Sequence, residues 1–301
     1  MPEAAVTAET RRRVLDAALA AERDLAAELT VDALADAVDL APKHFHRAFR
    51  AVVGEPPQAY LRRIRLQQAA YLLKWSELSI VEVAVRFGYA THAGFTKAFA
   101  AAYGYTPAAF RAASGVTPYM RVRPGAKGAD RVADLEPAPL SVRIEEVPDR
   151  RVAAMRHVGP AESCASVWRR MAPWARERGL LGPDAIVLGV HNDYWDAASE
   201  DRYRYDAAVV VPDRFEAPDD VNTFVLPGGP VAMAEFAGSV AEMDTAWRRL
   251  ADLWLPASGR IPRTTQAYDR YPVDLVSGGP LRRIVQMATG VRATLCLPVT
   301  G

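Results

Sequence analysis

The sequence predicts two domains of different class. Residues 1–113 read as an all-α domain of two helix–turn–helix units. Residues 140–301 read as an α+β domain of two pseudo-symmetric strand–helix–strand–strand units. Three observations predict this. Residues 29–110 state one pattern twice, residues 151–250 contain a second and looser repeat, and the stretch between is rich in Pro, Gly and charge. A repeat implies one supersecondary unit used twice. A chain of 301 residues, half of them apolar, has room for two cores.

Residues Thr10 to Leu29 carry Val14, Ala18, Leu25 and Leu29 among charged positions and predict a first helix. Arg11, Arg12 and Arg13 read as its solvated start, balanced by Asp16, Glu22 and Asp24. The repeat follows. Leu29, Thr30, Leu34, Ala35 and Ala41 recur as Leu78, Ser79, Val83, Ala84 and Ala90. After one extra residue, Gly94, Phe45, Ala48, Phe49, Gly54, Pro57 and Tyr60 recur as Phe95, Ala98, Phe99, Gly104, Pro107 and Phe110. Thr30 and Ser79 stand where an N-cap hydroxyl belongs. Turns are expected at residues 39–41 and 88–90, and Pro42 suits the first turn of the helix that follows. The pairs Phe45/Phe49 and Phe95/Phe99, spaced i, i+4, should anchor each second helix on the first.

The other face of each second helix remains free. It carries Lys43, His44, His46, Arg47 and Arg50 in the first copy, and Thr91, His92, Ala93, Thr96 and Lys97 in the second. On one isolated helix such residues read as a solvated face. The wider charge argues for more: from Leu40 to Gly115 ten Lys or Arg stand against three Asp or Glu, a net of +7 in a chain whose total is +1. A basic stretch inside a neutral protein is an electrostatic footprint for nucleic acid, and side-chain donors near a helix N-terminus suit base edges in a major groove.

The words LTVDALADAVDLAPKHFHRAFRAVVGEPPQAYLRRIRLQQAAYLL and LSIVEVAVRFGYATHAGFTKAFAAAYGYTPAAFR resemble the DNA-binding domain of the AraC family of transcriptional regulators. The resemblance covers residues 29–111. It implies two units joined by a long helix, here Gln58 to Lys74, entering successive major grooves of double-stranded DNA. At about 1.5 Å per residue that helix spans roughly 25 Å. The resemblance carries the reading role to Lys43, His44, His46 and Arg47, then to His92, Ala93, Thr96 and Lys97, with Arg50 beside them. Ala93, where family members often place a polar reader, has no donor, which implies fewer bases read by the second unit.

Residues 114–139 read as a linker. Beyond them RVAAMRHVGPAESCASVWRRM aligns with PVAMAEFAGSVAEMDTAWRRL, so that Val152, Gly159, Trp168, Arg169 and Arg170 recur as Val231, Gly238, Trp247, Arg248 and Arg249. Each copy runs strand, Gly-containing turn, amphipathic helix. Further strands are expected at Ile186 to His191, Tyr203 to Val211, Thr264 to Tyr271 and Val291 to Pro298. Trp168 and Trp247, recurring at one helix position, read as packing residues. A cleft between the halves is the expected concave site.

The segments SVRIEEVPDRRVAAMRHVGP, RYRYDAAVVVP, PVAMAEFAGS and ATLCLPV resemble the GyrI-like effector-binding domain. The resemblance implies a pocket of aromatics around a buried carboxylate that takes small, often cationic and hydrophobic, molecules. The carboxylate maps to Asp269 in AYDRY, shorter than the usual Glu, and Thr294 stands where an acidic residue is frequent. The expected lining is Tyr194, Trp195, Tyr203, Tyr205, Tyr268 and Tyr271, since aromatic faces beside a carboxylate attract cations. A buried Asp269 needs a partner or a ligand, and Arg270 or Arg283 is the expected neutraliser.

No secretory signal or membrane-length apolar run is legible, so a cytoplasmic protein is expected. Cys164 and Cys296 read as free thiols, and His157 and His191 have no second ligand at metal spacing. No cofactor is expected. The leading function is a ligand-responsive transcription regulator. One competitor is hydrolysis of a reactive electrophilic natural product, with Asp269 and Tyr194 or Tyr205 activating water. The other makes the C-terminal half an interaction module that docks on RNA polymerase or another protein. No catalytic set of a commoner class is present.

Overall fold

A computed structural model describes residues 6–23, 25, 29–112, 140–193, 203–217, 221–263, 266–274 and 290–300. The chain divides into two units, Met1–Ala113 with Ala217–Asn222, and Ser114–Glu216 with Thr223–Gly301. The expected linker, 114–139, lies outside the described residues.

The first unit is helical. A first helix, α1 (Ala8–Arg23), precedes the repeated pairs: α2 (Val31–Ala37) with α3 (Pro42–Val53), and α5 (Ile80–Arg86) with α6 (His92–Tyr103). Between them runs α4 (Pro57–Trp75), and α7 (Pro107–Ala112) follows. Nineteen residues make α4 about 28 Å long. Both expected N-caps form. Thr30 Oγ1 accepts from Ala33 N at 3.1 Å, and Ser79 and Glu82 make a reciprocal capping box of 3.2 and 2.7 Å. Hydrogen bonds from the Ser79 side chain and backbone hold the Glu82 carboxyl below its ordinary range.

The turns also match, through different residues. Gly88 takes φ +80°, and its counterpart Asp39 takes +52°, the only non-glycine at positive φ among the described residues. The phenylalanine pairs are fully buried, with ring centroids 5.3 Å apart in α3 and 5.6 Å in α6. Each second ring meets the next repeat-equivalent aromatic edge-on: Phe49 on Tyr60 and Phe99 on Phe110, both at 5.2 Å. Arginines tie down the residue before each N-cap: Arg65 donates to Leu29 O at 2.7 Å and Arg111 to Leu78 O at 2.5 Å.

The second unit is an α+β domain around one antiparallel eight-stranded sheet. Its strands are β1 (Val142–Val147), β2 (Arg150–Gly159), β3 (Val187–His191), β4 (Tyr203–Val210), β5 (Asn222–Leu226), β6 (Gly229–Gly238), β7 (Ala267–Tyr271) and β8 (Val291–Pro298). The spatial order is β1-β6-β8-β7-β3-β4-β2-β5. The two expected units are therefore β2-α8-β3-β4 and β6-α9-β7-β8, with α8 at Trp168–Glu177 and α9 at Val240–Arg248. A feature the periodicity did not foretell is strand exchange. β1 precedes β2 in the chain yet pairs with β6, while β5 precedes β6 yet pairs with β2. The copies also differ at their helices. A 3-10 turn, Ala161–Val167, leads into α8, whereas α9 starts from a Ser239/Glu242 capping box. A π-helical turn, Arg249–Trp254, then joins α9 to α10 (Leu255–Ser258).

Alternation sorts the sheet into two faces. Helices α8 and α9 bring Trp168 and Trp247 onto the face that bears His191, Gly189, Tyr203, Tyr205, Asp269 and Tyr271. Tyr268, Arg270, Arg204 and Asp206 stand on the other face, by the same register.

Candidate functional site

In the first unit, α3 and α6 present their free faces as the repeat implies. Lys43, His44, Arg47 and Arg50 are exposed on α3, and His92, Ala93 and Lys97 on α6. His46 and its counterpart Thr96 are half-buried. His46 Nε2 lies 3.0 Å from Gln58 Nε2, which ties it to the start of α4. Thr96 Oγ1 is buried with no hydrogen-bond partner among the described residues. The two helices begin differently: Pro42 opens α3 without a side-chain cap, whereas Thr91 Oγ1 accepts from Gly94 N at 3.0 Å. The first surface is therefore the more basic, with three exposed cations against one.

In the second unit, a hydrogen-bonded network closes on Asp269, which is 1% exposed. Trp247 Nε1 donates to its Oδ1 at 3.0 Å. Tyr271 OH donates to Oδ2 at 3.0 Å, and His191 Nε2 lies 2.9 Å from the same oxygen. Beyond them, Tyr203 OH bonds His191 Nδ1, Tyr205 OH lies 3.3 Å from Tyr271 OH, and Trp168 Nε1 donates to Tyr205 OH at 3.0 Å. Donor counting orients the chain. Tyr271 spends its one proton on Asp269, so Tyr205 donates to Tyr271, and the Trp168 indole donates to Tyr205. With Asp269 ionised, His191 carries its proton on Nε2 and accepts from Tyr203 at Nδ1. Every arm ends on the carboxylate. Burial raises the Tyr203, Tyr205 and Tyr271 hydroxyls well above the usual phenol range, so all three stay protonated donors.

One glycine makes this packing possible. Tyr205 lies across β3, and a Cβ at Gly189 would stand 2.1 Å from its hydroxyl. Gly189 is also the cross-strand partner of Asp269.

Several expectations change here. Trp168 and Trp247 are buried but do more than pack, since both indole N–H groups donate within the network. Arg270 does not neutralise Asp269: it is exposed on the opposite face of β7, and three neutral-type donors take that place. Arg283 lies outside the described residues, as do Tyr194 and Trp195. Tyr203, Tyr205 and Tyr271 gather round Asp269, whereas Tyr268 faces away from it. His191, which the sequence marks only as lacking a second metal ligand at suitable spacing, joins the network as well. Its signal was there: it falls at the same strand position as Tyr271, two residues beyond Gly189 as Tyr271 is beyond Asp269. Among the described residues no three His, Cys, Asp or Glu gather as a metal site. Cys164 and Cys296 form no disulfide.

A family model described as a GyrI-like small molecule binding domain matches residues 140–277, and one described as a helix-turn-helix domain matches residues 34–113. The HTH-type transcriptional activator RhaS of Escherichia coli is 35% identical over 86 residues, 29% of this chain and 31% of RhaS. The chain thus matches less than a third of the length of that relative. Among solved structures, the C-terminal domain of AraT, a response regulator from Geobacillus stearothermophilus, is 31% identical with a TM-score of 0.32, covering 33% of this chain and 83% of that one. The C-terminal domain of EcmrR is 16% identical with a TM-score of 0.41, covering 54% of this chain and 98% of that one. With a repeated helix pair in one unit and an eight-stranded α+β sheet in the other, the chain carries an AraC-type helix-turn-helix DNA-binding domain fused to a GyrI-like domain.

Proposed function

We propose that the protein is a ligand-responsive transcription regulator. Its helices α3 and α6 read successive major-groove segments of double-stranded DNA, and its C-terminal domain senses a small hydrophobic or cationic molecule at the Asp269 network. The observation that carries the reading is the pairing of two features in one chain. One is a duplicated helix pair with exposed Lys43, Arg47, Arg50 and Lys97; the other is a buried carboxylate ringed by aromatics.

The ligand site works by exchange of partners. Asp269 already accepts three hydrogen bonds, so a cationic ligand gains most by replacing one donor, and the aromatic rings then supply cation–π attraction. A carboxylate so engaged is a weak general base, which weighs against water activation by Asp269. The test is a gel shift on the promoter DNA flanking its own gene, with and without a panel of lipophilic cations. A sequence-specific shift that responds to a compound is the expected result. Turnover of the compound, or a shift indifferent to every compound and sequence, would refute it.

A further inference from the structure

Val81 and Val85 are the two most exposed large apolar side chains among the described residues, at 55% and 63%, and they lie one turn apart on α5. Val83, Ala84 and Phe87, all buried, hold the opposite side of that helix to the core of its unit. The exposed side carries two stripes: Val81 with Val85, and beside them Glu82 with Arg86. The other copy of the repeat shows that the fold does not require valine there. Asp32 and Asp36 occupy those places on α2, also exposed, with Ala33 and Ala37 beside them. One position of a duplicated helix is thus acidic in the first unit and apolar in the second. Packing within the chain accounts for neither valine.

The flanking charges say what fits this face. Glu82 and Arg86 are opposite charges one turn apart. Glu82 Oε2 accepts from Ser79 N at 2.7 Å inside the capping box. Arg86 makes no hydrogen bond or ion pair among the described residues. When a helix meets a copy of itself antiparallel about a twofold axis, like stripes face each other and the contacts are reciprocal. Val81 then meets Val85 of the second copy, and Glu82 meets its Arg86. A parallel pairing would lay the apolar stripe on the charged one. Two copies of α2 would instead set Asp32 against Asp36, with no basic residue in the last turn to answer them. The self-complementary pattern belongs to α5 alone of the two.

We propose that the exposed face of α5 is an interface for a second copy of this chain, packed antiparallel about a twofold axis through Val81, Glu82, Val85 and Arg86. Seven residues give a face about 10 Å long, too small for the roughly 1,000 Å² that a stable pair buries. The pair is therefore weak in solution and forms where DNA holds two copies side by side, since tethering raises their effective concentration. Such copies lie on inverted sites with their second helix pairs adjacent. That last step rests on the DNA-reading role proposed above.

The test needs no DNA, so the interface and the DNA reading fail separately. Full-length Val81→Cys and Val85→Cys chains, both carrying Cys164→Ser, are oxidised apart and as a mixture at about 1 mM, where weak pairs are populated. Cys296 is buried and is left in place. The mixture should form covalent dimer about tenfold faster than either chain alone, because only the unlike positions meet. Arg86→Glu on both chains should remove that advantage, since two acidic groups would then face each other. So should Val85→Asp on the first chain with Val81→Asp on the second, a change the fold tolerates because α2 carries aspartate at both places. Equal rates in all three samples, or no covalent dimer in any, would overturn the interface and leave the valines to a different protein.

Discussion

Asp269 and Gly189 face each other across β7 and β3, and they hold the same position in the two copies of the C-terminal unit. The five-residue strands correspond at a spacing of 80, and the cross-strand pairs His191–Ala267 and Val187–Tyr271 exchange under that correspondence. The pseudo-dyad therefore passes between a glycine and a carboxylate. Duplication built a symmetric frame, and the chemistry lies in its asymmetry. The second copy supplies the anion. The first supplies the empty space into which Tyr205 leans, together with His191 and Tyr203.

Gly189→Ala tests that relationship. The new methyl group would meet the Tyr205 hydroxyl, ring and Cζ at 2.1 to 2.9 Å, so Tyr205 must leave the Trp168 and Tyr271 bonds. Overpacking of this kind costs about 1–3 kcal/mol. Urea denaturation should show the midpoint falling and near-ultraviolet dichroism should change. An unchanged midpoint would mean that the ring does not lie over β3.

Asp269→Asn keeps the size of the side chain but turns one acceptor oxygen into a donor. Trp247 approaches one oxygen while His191 and Tyr271 approach the other, so either amide orientation sets donor against donor. The expected loss is about 1–3 kcal/mol of stability. Calorimetry with matched cationic and neutral dyes should show the cationic one weakened and the neutral one spared. Equal losses for both would make Asp269 structural.

Alkaline pH should unfold the C-terminal domain. Tyr203, Tyr205 and Tyr271 have folded-state pKa values raised by burial above the ordinary value of 10.0. Below pH 10 both states keep the protons and the stabilisation is complete. As pH rises past 10 the unfolded state alone releases them, so stability falls with each further unit. Tyrosinate absorbance should rise first for exposed phenols, then cooperatively with loss of the sheet's circular dichroism. Early titration of all eleven tyrosines without unfolding would contradict the network.

The helix–turn–helix turns offer a matched pair of changes. Gly88→Ala forces a Cβ into a φ of +80° and should destabilise by about 1 kcal/mol. Asp39→Gly relieves the same conformation in the first copy and should stabilise by a few tenths to about 1 kcal/mol. The exposed Arg13–Asp39 contact at 3.7 Å is worth little against that. Thermal melts of the full chain would read both, and the same sign for both would refute the shared geometry.

For DNA, Arg47→Ala and Lys97→Ala should each weaken specific binding. A lost base contact costs about 1–3 kcal/mol and relaxes sequence preference, whereas a lost phosphate contact lowers the salt slope by about one and leaves preference intact. Fluorescence anisotropy across a salt series separates these. Unchanged affinity in both variants would remove α3 and α6 from the grooves.

By itself the sequence determined the repeated units. Helix caps at Thr30 and Ser79, the turn at Gly88, the anchoring phenylalanines and six of the sheet's strands are local signals, fixed by backbone geometry and side-chain period within a few residues. The resemblance to the GyrI-like domain also mapped that domain's carboxylate to Asp269 in AYDRY. The tertiary structure decided who answers that carboxylate. His191, Trp247 and Tyr271 come from different elements. Arg270 and Tyr268, adjacent in sequence to Asp269, are turned away by the strand's two-residue alternation. The exchange of β1 and β5 between the two units was equally illegible, since a strand's pattern states which face it buries but not which neighbour completes its ladder. Packing indoles looked alike in both copies because hydrophobicity does not record where an N–H points. Only the meeting of the two copies at Gly189 and Asp269 brought the two indoles into one network, Trp247 on Asp269 and Trp168 on Tyr205.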